Sequence, residues 1–145
     1  QLQNISKTPA LMQCQLKIAP ASPGKVERLR CFADRPHTTI FCNLTEARIL
    51  CKIEFRNTEE ASQSLVQMGF YRAVVTDGGN MAADAGAERP TVAAIPKAVK
   101  LECVTGAGDV FMAAHIFAEF TGSTPQDALN NAITIAGAYV SSAEA

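Results

Sequence analysis

Along most of the chain, short apolar runs rich in β-branched residues alternate with segments whose apolar residues recur at helical spacing. That alternation predicts helices layered on a sheet, an α/β architecture. Strands are expected at residues 14–19, 38–42 and 73–76, with a weaker pair at 81–85 and 91–95. Ser22 stands where it could cap a helix whose first residue is Pro23 and whose face is Val26, Leu29 and Phe32. A short helix begins at Asn43-Leu44-Thr45-Glu46, directly after the second strand. Thr58 with Glu59 and Glu60 opens another, carrying Ala61, Leu65 and Met68 and stopping at Gly69. Residues 109–120 are apolar almost throughout and predict a buried helix. Thr124, Pro125 and Asp127 start the last one, with Leu129, Ile133, Ala136 and Val140 as a core stripe.

Composition narrows the class further. With 145 residues, 48% hydrophobic and 19% charged, the chain fits one globular domain over residues 1–145, residues 1–13 being expected irregular. A net charge of -1 offers no positive field for a phosphate backbone, so nucleic acid is not an expected partner. Apolar runs fall short of the roughly 20 residues that cross a bilayer, and no signal-peptide pattern opens the chain, so a soluble, cytoplasmic protein is expected. Five cysteines without a C-x-x-C pair suggest neither a disulfide framework nor a zinc site.

The chemistry concentrates at Thr105-Gly106-Ala107-Gly108-Asp109, at the start of the apolar helix. Small residues let a ligand approach the backbone, and the free N–H groups of a helix start, with the positive end of its dipole, make an anion site. Asp109 in the first turn could take a proton from a hydroxyl beside that anion. Read alone, Gly-Ala-Gly is also satisfied by a tight turn and Asp109 by the helix dipole.

The run VTGAGDVFMAAHIFAEF resembles the C-terminal signature of the PfkB, or ribokinase-like, carbohydrate kinases, usually Asp-Thr-x-Gly-Ala-Gly-Asp before small and apolar residues. Three further stretches agree in order. Asn43-Leu44-Thr45-Glu46 is similar to that family's Asn-x-x-Glu motif, Val74-Val75-Thr76-Asp77-Gly78 to its nucleotide-loop strand, and Pro20-Ala21-Ser22-Pro23-Gly24-Lys25 to a turn of its sugar and nucleoside kinase members, pseudouridine-kinase-like ones included. The resemblance implies a ribokinase-like three-layer α/β sandwich with a mostly parallel sheet, and transfer of the ATP γ-phosphoryl group to a sugar or nucleoside hydroxyl. It makes Asp109 the base and Gly106, Ala107 and Gly108 the anion hole. Thr76, Gly78, Thr105 and Asn131, the last with Ala132 near the adenine, would contact the nucleotide. Asn43 and Glu46 would hold Mg²⁺, although by themselves they are equally a helix cap and a first-turn acid.

Three positions depart from the pattern: Cys103 replaces an acid, Val104 a threonine, and His115, expected as a satisfied core or helix-face histidine, an apolar residue. The resemblance covers residues 14–142 but only the C-terminal half of such a kinase, without its glycine-rich sugar-binding segment, acidic residue and lid. A truncated, processed or split chain is therefore expected, one that needs an N-terminal half, a partner chain or a second copy. The rival expectation is a nucleotide-binding or regulatory module without phosphotransfer.

Overall fold

The computed structural model describes residues 1–98 and 105–141. Strands β1 (Leu16–Ile18), β2 (Thr38–Asn43), β3 (Arg72–Thr76), β4 (Ala82–Gly86) and β5 (Arg89–Ala94) form one sheet in that order. The first three are parallel and the last two are added antiparallel, so the sheet is mixed where a mostly parallel one is expected.

Alternation along the central strands builds a core on each face. Ile40, Cys42, Ala73 and Val75 pack with helices α2 (Leu44–Cys51) and α3 (Thr58–Gln67) and with Val26, Leu29 and Phe32. Phe41 and Val74 point the other way, against α4 (Ala107–Phe120) and α5 (Pro125–Ser141) through Phe111, Ala114, Leu129 and Ala132. The three layers of the α/β sandwich arise from this single alternation in β2 and β3.

Several local expectations are corrected. Residues 1–13 are not irregular but hold α1 (Leu2–Lys7) and a short 3-10 helix (Pro9–Leu11), tied to the sheet by the buried Arg35, which donates to the Leu11 carbonyl and to Thr38 Oγ1 at 2.9 Å. The first strand is shorter than its apolar run. The segment after Ser22 is a 3-10 helix, Pro23–Phe32, and Ser22 makes no side-chain cap. Its apolar residues are spaced by three, the repeat of a 3-10 turn, so Val26, Leu29 and Phe32 all fall on one buried face. Thr58 does open α3, and Asn57 before it is the cap, accepting the Glu60 N–H at 2.9 Å.

The apolar helix begins two residues earlier than expected and is buried on one side only. Phe111, Ala114, His115 and Ala118 face inward, while Phe117 and Phe120 are 65% and 89% exposed. Among the described residues no helix is long and apolar enough to cross a membrane.

An ionic cluster pins the far end of α4 to the sheet. Asp84 is fully buried and takes a two-point contact from Arg72, Nε to Oδ1 at 2.8 Å and Nη2 to Oδ2 at 2.5 Å, and a further one from Arg89 at 2.5 Å. Arg72 also reaches Glu119 at 2.5 Å, and Lys17 of β1 lies 3.7 Å from the same carboxylate. Burial alone would raise the Asp84 pKa, but its hydrogen bonds from Arg72 and the neighbouring charges outweigh that and hold it far below the usual carboxylate range. His115 is buried here, 3.5 Å from Asp84 and 3.7 Å from Glu119. It is the core histidine expected, each ring nitrogen facing a carboxylate, though neither meets a full hydrogen-bond geometry among the described residues.

Candidate active site

The parallel register brings the candidate residues together. Asn43 and Thr76 are the last paired residues of β2 and β3, so the segments leaving these two strands start from neighbouring points at the carboxyl end of the sheet, where open α/β sheets bind ligands.

After Asn43 the chain turns into α2 through a reciprocal cap. Asn43 Oδ1 accepts the Glu46 N–H at 2.8 Å, and Glu46 Oε2 accepts the Asn43 N–H at 2.9 Å. The cap holds the Glu46 carboxylate, only 8% exposed, in the wall of a cavity. Its other oxygen is in no hydrogen bond among the described residues, so Glu46 can serve the cap and still offer a ligand atom to a divalent cation.

After Thr76 the chain enters Asp77-Gly78-Gly79-Asn80, closed by the Asn80 N–H on the Asp77 carbonyl at 2.9 Å. Gly78 takes a positive φ of 53°, which suits the absence of a side chain.

The third contribution is the start of α4. Gly106 is its N-cap, in the left-handed region at φ 85°, and no side chain caps the helix. The first helical bond runs from the Val110 N–H to the Gly106 carbonyl at 3.0 Å, so the N–H groups of Ala107, Gly108 and Asp109 precede the ladder and, among the described residues, are open to an anion. Asp109 is exposed in this first turn.

Two cavities meet here. The smaller, about 160 Å³, is lined by Pro20, Cys42, Glu46, Gly108 and Asp109 among others. The larger, about 440 Å³, is lined by Leu44, Gly78, Gly79, Ala107, Ala136 and Val140 among others. Asn43, Thr76, Gly108 and Phe111 line both. A Cβ added at Gly108 would meet nothing within 4 Å, so nothing in the described fold requires a glycine there, and the space a side chain would take is open. A phosphate group fits that arrangement: uncapped N–H donors, a bare backbone, and room on both sides. Burial pushes the pKa of the Cys42 thiol, in the smaller cavity, well up and so favours its protonated form.

The structure thus gathers Asn43, Glu46, Thr76, Gly78, Ala107, Gly108 and Asp109 around one double cavity, with Gly106 forming the turn behind it. Thr105 is exposed and its carbonyl accepts a hydrogen bond from the Tyr139 hydroxyl at 3.0 Å. Asn131 is not brought in. It sits on α5 five residues before Ala136, about 140° around the helix, and lines neither cavity. Ala136 and Val140, which spacing marks as core stripe, supply the α5 wall instead. The small-residue stretch Ala136-Gly137-Ala138 is the signal that could have marked this part of α5 as a close-approach surface. Cys103 and Val104 lie outside the described residues.

A family model described as pfkB family carbohydrate kinase matches residues 13–145. No curated protein is significantly similar in sequence. Among solved structures, a putative sugar kinase from Clostridium perfringens is similar at TM-score 0.78 and 21% identity, over 96% of this chain and 47% of its own. A ribokinase from Thermotoga maritima is similar at TM-score 0.73 and 22% identity, over 95% and 47%. The Arabidopsis thaliana ribokinase, solved in complex with ribose and ATP, is similar at TM-score 0.70 and 22% identity, over 80% and 38%. The shared fold is ribokinase-like, and the chain spans less than half the length of each of these three structures.

Proposed function

Since the chain belongs to the pfkB family of carbohydrate kinases, we propose that it is the nucleotide-binding and catalytic part of a cytoplasmic enzyme that phosphorylates a hydroxyl of a sugar or nucleoside with ATP. One observation carries this reading: Gly108, bare and flanked by uncapped N–H groups, sits where a cavity holding Asp109 and Glu46 meets a second, larger cavity. Donors for an anion, a proton acceptor and a cation ligand therefore face shared space.

Each group has a defined task. Asp109 takes the proton of the acceptor hydroxyl onto its carboxylate, which raises the nucleophilicity of the oxygen left behind. The N–H groups of Ala107, Gly108 and Asp109 stabilise negative charge with dipoles already aligned by the fold. Thr76 and Gly78, which line the larger cavity, and Thr105 beside it would contact the phosphates, while Leu44, Phe111, Ala136 and Val140 give that cavity an apolar wall suited to a flat base. Glu46, oriented by Asn43, would hold Mg²⁺ directly or through water. Bound there, ATP would supply the transferable phosphoryl group, and Mg²⁺ would neutralise charge on its phosphates.

The test is ligand-linked stability. ATP or ADP with Mg²⁺, at about 100 times Kd, should stabilise the folded chain by roughly 2.7 kcal/mol and raise Tm by several degrees. No shift at millimolar nucleotide in a folded sample would overturn the reading. The alternative is nucleotide binding without phosphotransfer. Nucleotide binding with no turnover of any sugar or nucleoside, even with a complementing N-terminal half, would select it.

A further inference from the structure

We infer that Tyr139 is a positioning residue of this site: its hydroxyl, donated from α5 to the Thr105 carbonyl, fixes the peptide that opens the anion-binding turn. The inference deepens the reading just given and rests on it for its consequence in binding, but its geometric core does not.

The Thr105–Gly106 peptide is planar, so its carbonyl and the Gly106 N–H point in opposite directions and turn together. Holding the carbonyl therefore holds the N–H. Tyr139 Oη lies 3.0 Å from that carbonyl oxygen, across 34 residues of sequence. The next residue is the one most in need of an outside constraint. Gly106 sits at φ 85°, no side chain caps α4, and a glycine explores both signs of φ with ease. A flip of that peptide would break the Tyr139 hydrogen bond and redirect the start of α4.

Tyr139 also explains Gly106 a second way. A Cβ at Gly106 would lie 3.0 Å from Tyr139 Oη, so hydroxyl and glycine are fitted to each other. The neighbours of Tyr139 on α5, Ala136 and Val140, line the larger cavity. One helix therefore both walls that cavity and ties down the turn beside it.

The experiment compares the wild-type chain with Tyr139→Phe, which keeps the ring and removes the hydroxyl. The folded, ligand-free proteins are read by ¹⁵N amide shifts and Tm, and then titrated with ADP and Mg²⁺. The expected result is a Tm within a few degrees, displaced amide signals confined to Gly106, Ala107 and Gly108, and ADP binding weakened about 3- to 10-fold, the effect of one hydrogen bond. As a second measurement, Gly106→Ala should lower Tm less in the Tyr139→Phe background than in wild type, because the contact at Oη is gone.

Unmoved signals at Gly106 to Gly108 together with wild-type ADP affinity would overturn the inference, as would fully additive Tm changes. If the wild-type chain binds no ADP, the proposed function fails, whereas the amide shifts and the Gly106→Ala pair still decide whether Tyr139 sets the turn.

Discussion

Gly108 and Asp109 are adjacent in the chain but answer to different demands. At Gly108 the described structure asks for no glycine, since a methyl group would meet nothing. Gly108→Ala should therefore raise stability by about 0.5 to 1 kcal/mol by stiffening the unfolded chain. The same methyl would stand in the space assigned to phosphate, so nucleotide affinity should fall about ten-fold or more. Thermal melts with and without nucleotide separate the two effects, and a variant that is no more stable and binds normally would show that Gly108 answers to the fold after all. At Asp109 the demand is chemical. In a complete kinase containing these residues, Asp109→Asn should lower turnover about 10²- to 10⁴-fold while leaving nucleotide affinity nearly unchanged, because the backbone donors remain. Steady-state kinetics beside nucleotide titration checks this, and near wild-type turnover would remove Asp109 from the reaction.

At the scale of elements, α4 is the connecting member. Its N-terminus carries the proposed anion site and its C-terminal turn carries Glu119 into the ionic cluster, the helix being 14 residues and about 20 Å long. Removing the Asp84 charge would leave Arg72 and Arg89 facing a neutral group inside the core, so Asp84→Asn should destabilise by roughly 3 to 5 kcal/mol near neutral pH. The acid side has a defined sign. Because the folded protein holds the Asp84 pKa below its unfolded value of about 4, its contribution is complete above that pH and is lost as pH falls towards the lower folded value. Tm measured downward from pH 5 should fall more steeply for wild type than for the Asn variant, and parallel curves would show that Asp84 does not govern acid stability.

This cluster is not legible in the sequence, whereas the site largely is. The turn motif from Thr105 to Asp109 and the stretch from Asn43 to Glu46 are contiguous, and local chemistry places them at strand and helix ends. Arg72, Asp84 and Glu119 are separated by 12 and 35 residues, and only strand pairing and helix docking bring them together. Asn131 escapes a sequence reading for a related reason: helical spacing reports that a face exists, not which neighbour it meets. The spacing of Val26, Leu29 and Phe32 by three is visible in the sequence, and fits a 3-10 turn better than a 3.6-residue repeat.

For the molecule as a whole, the described residues offer the proposed nucleotide site and base but show no element that would set an acceptor hydroxyl in line with a phosphate. Positioning of that kind accounts for roughly 7 to 11 kcal/mol of a barrier. The 145-residue chain alone should therefore bind nucleotide and show at most slow ATP hydrolysis, and supplying an N-terminal half, fused or in trans, should restore transfer to a sugar or nucleoside. A mass-verified 145-residue monomer phosphorylating a sugar at an ordinary enzymatic rate would contradict this. The double attachment of α4 bears on the timescale of motion as well. A helix anchored at one end by Tyr139 on its entry turn, and at the other by Arg72 and Lys17 on Glu119, cannot fray from either terminus before a tether breaks. Its central amides, from Phe111 to Ala114, should therefore exchange with solvent deuterium only through openings as large as global unfolding, while those of Gly78 and Gly79 across the cavity exchange orders of magnitude sooner. The two walls of one pocket would then keep different clocks, the sheet-end loop adjusting to each ligand while the α4 wall stays fixed.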